Sequence, residues 1–72
     1  MAWETFSGFD SSNISCLKYD NHSQILEVIF NSGGVYHYFN VPAQVWEDFK
    51  RADSKGKYLH EHIKGCYRYS KV

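Results

Sequence analysis

The sequence predicts an α+β fold: a three-stranded antiparallel meander followed by two helices packed on one face of the sheet, in the order β-β-β-α-α. Residues 25–30 read as a strand whose side chains alternate between two faces with a period of two. Asn31-Ser32-Gly33-Gly34 supplies a tight turn before a second alternating run. Past Pro42 the apolar spacing lengthens to that of a helix.

Trp3, Phe6 and Phe9 are spaced by three, which suits a helical turn or an aromatic arm packed over the core, with Gly8 weakening the helix. Ile14–Tyr19 is the first strand and ends at the turn formers Asp20-Asn21-His22-Ser23. In Ile25–Phe30, Leu26, Val28 and Phe30 share one face, and Ile25, Glu27 and Ile29 the other. Val35–Phe39 follows, with Tyr36 and Tyr38 on one face and Val35, His37 and Phe39 on the other. Both faces of this strand are aromatic, and only one can lie under the helices; periodicity alone leaves the choice open.

Pro42 sits where a helix begins, at the first helical position, where its missing N–H has no partner to lose. Val45, Trp46, Phe49 and Ala52 then face inward, and Glu47, Asp48, Lys50 and Arg51 outward. Asp53-Ser54-Lys55-Gly56 breaks this helix and starts another, on which Tyr58, Leu59, His62, Ile63 and Cys66 share a packing side. Gly65 loosens or ends it, and Tyr67-Arg68-Tyr69 is either a last helical turn or a returning strand.

Seventy-two residues make one domain near the lower size limit for folding without staples. The thirteen aromatic rings favour an aromatic core, each burying roughly 150–250 Å². Two cysteines do not make a disulfide framework, although a single Cys16–Cys66 bond is left open. The N-terminus lacks the pattern of a secretory segment. The longest apolar run, Val28-Ile29-Phe30, is far below the ~18 residues of a membrane span. These features lead us to expect a cytoplasmic protein with no membrane partner.

The formal charge is zero, yet the signs are separated along the chain. Residues 1–48 carry Lys18 against six carboxylates, while residues 49–72 carry seven cations against Asp53 and Glu61. Tyr58, Tyr67 and Tyr69 and His60 and His62 lie in the basic third, and cations interleaved with rings suit phosphates and stacked bases. Lys50 and Arg51 can be assigned to the exposed side of the first helix, pairing with Glu47 and Asp48. That leaves Lys55, Lys57, Lys64 and Arg68 around a Ser54-Gly56 helix start.

Several constellations could carry chemistry. Tyr36 and Tyr38 stand roughly 7 Å apart on one strand face, a spacing that suits stacked bases or core filling. Asp53-Ser54-Lys55-Gly56-Lys57 could hold a phosphate, or Ser54 could simply cap a helix beside two solvated lysines. His62 and Cys66, four apart, could supply two metal ligands, but no second pair is evident, so we expect packing residues, with no metal and no cofactor. Glu47 and Asp48 diverge on their helix, and no nucleophile signature surrounds either cysteine, so no catalytic residue is expected.

The order of these residues resembles the KTSC domain family, small domains also found at the C-terminus of some lysyl-tRNA synthetases. The resemblance rests on Ser12…Ile14, Tyr19-Asp20, Leu26-x-Val28-x-Phe30, Gly33…Tyr36-x-Tyr38, Val41-Pro42 and Ala52-x-Ser54-x-Gly56-x-Tyr58…Ile63…Tyr67. His60 stands where the family commonly has asparagine. The resemblance covers residues 12–69, so we expect a single KTSC-like domain over 12–72 preceded by an N-terminal aromatic arm over residues 1–11; the small size and the added arm suit a bacterial or phage-encoded protein. The resemblance implies a compact sheet-plus-helices domain often suggested to bind RNA, and it singles out Tyr36, Tyr38, Ser54, Gly56, Tyr58 and Tyr67.

The expected function is a non-catalytic binding module for a phosphate-bearing ligand, single-stranded RNA or a soluble nucleotide that it could sequester. Ser54, Lys55, Gly56 and Lys57 would hold phosphate, Tyr36, Tyr38, Tyr58 or Tyr67 would stack, and His60, Lys64 and Arg68 would complete the rim. The alternative is a protein-interaction or self-assembly module, a homo-oligomer in which an acidic surface meets a basic one and Trp3, Phe6 and Phe9 anchor the contact. A small phosphodiesterase-type enzyme using His60 is the third reading.

Overall fold

The computed structural model describes residues 3–9 and 11–72. Five antiparallel strands form one sheet in chain order: β1 (Trp3–Phe6), β2 (Ile14–Asp20), β3 (Ile25–Phe30), β4 (Val35–Tyr38) and β5 (Tyr69–Lys71). Helix α1 (Ala43–Arg51) and helix α2 (Lys55–Tyr58), which runs on into one π-helical turn at Leu59–Ile63, lie between β4 and β5. The α+β class and the central meander agree with the sequence reading, but the sheet has five strands, not three. Trp3–Phe6, expected as a helical turn or an arm, pairs with β2 as an edge strand. The C-terminal alternative resolves in favour of the returning strand, although it starts at Tyr69, with Tyr67 and Arg68 outside it.

Turn chemistry sets the register. The Asp20 carboxylate accepts hydrogen bonds from the His22 N–H at 3.0 Å and the Ser23 hydroxyl at 3.0 Å, an Asx-type turn that reverses the chain into β3. Asp20 is buried, which alone would raise its pKa, but these hydrogen bonds together outweigh burial and hold the carboxyl below its ordinary value. The β3–β4 turn closes through Phe30 N–H to Gly34 O at 2.8 Å and Gly33 N–H to Phe30 O at 2.9 Å. Gly33 takes φ +96°, as the sequence requires of that position.

A depressed carboxyl pKa contributes stability above the unfolded value of about 3.9 and loses it as pH falls through the folded value. Asp20→Asn is therefore expected to lower the melting temperature at pH 7. The gap from the parent should close as pH falls below about 4, in melts followed by circular dichroism. A gap independent of pH would contradict the ionised-turn account.

Two rows of side chains cross the inner face in register: Phe6–Leu17–Val28–Tyr36–Lys71 and Glu4–Tyr19–Leu26–Tyr38–Tyr69. The Tyr36/Tyr38 face is therefore the one under the helices, and the Val35/His37 face is open. Ser15 has no opposite residue, since Ile14 pairs with Phe30 and Cys16 with Ile29. This bulge lets Ile14 and Leu17 both point inward although they are three residues apart.

Pro42 is the N-cap of α1, not its first helical residue. Its ψ of 151° is extended, and its carbonyl accepts the Val45 and Trp46 N–H groups at 3.0 and 3.3 Å. Trp46 and Phe49 drive into the core, Trp46 stacked on Tyr19 with ring centroids 5.4 Å apart. The Tyr19 hydroxyl donates to Val41 O, and burial raises its pKa. Lys50, expected on the exposed side of α1, is largely covered: it reaches Glu4 of the inner-face row at 2.6 Å and Glu47 at 3.2 Å, tying β1 to α1, while the exposed Arg51 pairs with Asp48 at 3.0 Å. Lys50 holds the Glu4 carboxyl below its usual range; the Trp46 indole N–H, buried and lacking a hydrogen bond of full geometry, adds a weaker pull.

The second helical segment departs from an ideal helix. Lys64 N–H bonds to Leu59 O at 2.8 Å, a five-residue span, and Gly65 at φ +80° then turns the chain away. Leu59 and Ile63 are buried and Tyr58 half-buried as expected, but His62 and Cys66 are exposed. Leu59 and Ile63, four apart, stay on the buried side, and His62 reaches only the Tyr58 ring at 4.6 Å, so the anticipated packing side ends at Ile63. Both cysteine thiols are free, and among the described residues no three His, Cys, Asp or Glu side chains cluster as metal ligands.

Candidate functional site

At the β4–β5 end of the inner face the row leaves the core: Tyr38 is buried, Tyr36 half-buried and Tyr69 exposed. The π turn stops at Ile63, and Lys64 and Gly65, which follow it, line the space over this end of the sheet. An open cleft of about 560 Å³ results, within the roughly 300–1,000 Å³ range of small-molecule sites. Its floor is aromatic: Phe30 meets Tyr36 edge-on at 5.4 Å, and Tyr69 lies 5.9 Å from Tyr36 and 5.8 Å from Tyr38. Lys64 and Lys71 stand at its rim.

Electrostatics favour an anion here. Lys64 and Lys71, the two cations that line the cleft, have no carboxylate partner among the described residues, whereas Lys50 and Arg51, which lie outside it, do. Tyr38 is almost fully buried, and burial, then Tyr36 and Tyr69 beside it, raises its phenol pKa, so it stays neutral. Tyr36 and Tyr69 are the rings with reachable faces: Tyr36 is half-buried and Tyr69 is 63% exposed.

The expected residues thus divide. Tyr36, Tyr38 and Lys64 line this cleft; Gly56, His60 and again Lys64 line a second cleft beside it. Ser54 caps α2, its hydroxyl accepting the Lys57 N–H at 3.2 Å, which leaves Lys57 exposed in solvent. Lys55, expected as a phosphate ligand or a solvated lysine, is 7% exposed. Its ammonium donates to Ala52 O and lies 5.4 and 5.6 Å from the stacked rings of Phe6 and Phe9.

Tyr58 stacks on Phe49 at 5.0 Å and lines neither cleft; burial raises its pKa. Tyr67 is half-buried against the core, and Arg68 is exposed, its carbonyl accepting the Phe39 N–H at 2.9 Å. Phe30, Tyr69 and Lys71 escaped the sequence reading. The signal was there for two of them: Tyr69-Ser70-Lys71 places Tyr69 and Lys71 on one face of a strand.

Comparison with known proteins agrees with this architecture. The KTSC domain matches residues 10–69. Lysine–tRNA ligase from Trichormus variabilis is 41% identical over 63 residues, covering 88% of this chain and 11% of the ligase, so the chain spans about a ninth of that relative. An uncharacterized protein of Stutzerimonas stutzeri is 41% identical and comparable in length, with 86% of this chain and 89% of that one covered. The crystal structure of a KTSC domain protein from Yersinia pestis superposes with a TM-score of 0.90 at 32% identity, over 99% of each chain.

Proposed function

The chain belongs to the KTSC domain family, and we propose that it is a non-catalytic binding module for a phosphate-bearing nucleotide ligand, either single-stranded RNA or a soluble nucleotide that it sequesters. The carrying observation is the convergence of Phe30, Tyr36 and Tyr69 with Lys64 and Lys71 in one open cleft. A base stacks on Tyr36 or Tyr69, and its phosphate meets the rim lysines. The cleft lining offers rings, ammonium groups and a serine hydroxyl, a set suited to holding a nucleotide. Relatives named as lysine–tRNA ligases support the RNA source; the short, open cleft supports a single bound unit.

Thermal unfolding with a panel of 5′-nucleotides and with single-stranded RNA tests the reading. A ligand at a hundred times its Kd adds about 2.7 kcal/mol and raises the melting temperature by about 10–20 °C. RNA binding should weaken steeply with salt, at a logarithmic slope of about −0.7 per phosphate contacted, whereas a single nucleotide gives a shallow slope. A melting temperature unmoved by both classes would overturn the proposal.

A further inference from the structure

The aromatic cleft does not stop at Phe30. A second cleft of about 470 Å³ adjoins it, and Phe30, Ser32 and Lys64 line both. We propose that the two are compartments of one groove built for two linked nucleotides, with the phosphodiester at Lys64. This rests on the nucleotide reading above and extends it to ligand length.

The compartments differ in chemistry. The first presents ring faces; the second presents the Asn13 amide, the His60 imidazole and the Ser12 hydroxyl, groups that hydrogen-bond a base edge or ribose. Its back wall is fixed in advance. Asn31 donates its backbone N–H to Asn13 O at 2.7 Å and its side-chain amide to Ser12 O at 3.0 Å, locking the β1–β2 connection to the β3–β4 turn. Each volume suits one nucleotide, and Lys64, exposed and without a carboxylate partner among the described residues, stands where the compartments meet. His60, within the π turn, and Lys64, its C-terminal cap, both line the second compartment.

Gly56 gives the test its handle. A β-carbon there would lie 3.7 Å from the Asn13 amide nitrogen, an ordinary contact, so a longer side chain grows into the second compartment. Gly56 sits in α2 at helical φ, where leucine is a better helix former than glycine, so Gly56→Leu fills the space without weakening the fold.

Titration calorimetry of the four 5′-mononucleotides and the matching linear homodinucleotides (pNpN) reads the ratio of the two affinities. The best dinucleotide is expected to bind at least about tenfold more tightly than its mononucleotide. Gly56→Leu should bring that ratio to about one with no fall in melting temperature, and His60→Ala should lower it in the same direction. A ten-nucleotide RNA that binds more tightly than pNpN assigns the strand as the source, and equal affinity assigns the soluble dinucleotide; both outcomes support the two compartments. Equal affinity of mono- and dinucleotide in the parent, or a ratio that survives Gly56→Leu, overturns this inference and leaves the nucleotide reading standing. Absence of binding by every mono- and dinucleotide overturns both.

Discussion

Phe49→Ala is expected to leave the chain largely unfolded at 25 °C without denaturant. Phe49 is fully buried and stacks on Tyr58 at 5.0 Å, so its ring joins α1 to α2 as well as to the sheet. Truncating a buried phenylalanine costs about 3–5 kcal/mol in lost transfer free energy and residual cavity. A core in a chain of this length rarely supplies more than about 3–5 kcal/mol of net stability, and no disulfide adds to it. Phe49→Leu keeps most of the volume and should cost less than about 1.5 kcal/mol, preserving a cooperative transition. Circular dichroism with urea titration distinguishes the two; a midpoint for Phe49→Ala equal to the parent's would remove Phe49 from the centre of the core.

The second large effect concerns binding. The double variant Lys64→Glu/Lys71→Glu is expected to weaken nucleotide binding by more than about a hundredfold. Each lysine that meets phosphate contributes a charge-assisted hydrogen bond of about 1.5–3 kcal/mol, so losing two amounts to at least about 3 kcal/mol. The introduced carboxylates then repel the same phosphate. Both side chains are exposed and have no carboxylate partner among the described residues, so the melting temperature of the unliganded protein should stay within a few degrees of the parent's. A loss smaller than about threefold would place the phosphate elsewhere on the domain.

Elements governed by local chemistry were legible in the sequence. The Gly33 turn, the alternation of β3 and the change of period past Pro42 each need only neighbouring residues. What escaped depends on partners distant in the chain. In β1, Glu4 occupies an inner-face row, where alternation would demand an apolar residue, because Lys50 reaches it from α1. The three aromatics spaced by three therefore resembled a helical turn. Lys55 reads as a solvated lysine until Phe6 and Phe9 fold over it from the N-terminal segment. β5 is three exposed residues with no apolar alternation, and it exists as a strand only by pairing with β4.

The candidate site was half legible for the same reason. Tyr36 and Lys64 follow from residue type and spacing, whereas Tyr69 and Lys71 join them only once β5 is in place. At the Ser54 start the sequence carries groups suited to an anion; in the structure the Ser54 hydroxyl accepts the Lys57 N–H and the Lys55 ammonium is buried on Ala52 O, while the Lys57 side chain stays exposed.

The position of β5 couples recognition to order at the edge of the sheet. One wall of the aromatic cleft, Tyr69 and Lys71, belongs to the shortest strand, attached along a single edge and exposed throughout. A ligand gripping these residues must also hold the strand against β4, so its measured affinity is the intrinsic one scaled by the fraction of molecules in which that edge is docked. Occupancy and edge protection then rise together: the ligand acts as a clasp, and amides that exchange fastest in the free protein gain most when the cleft is filled.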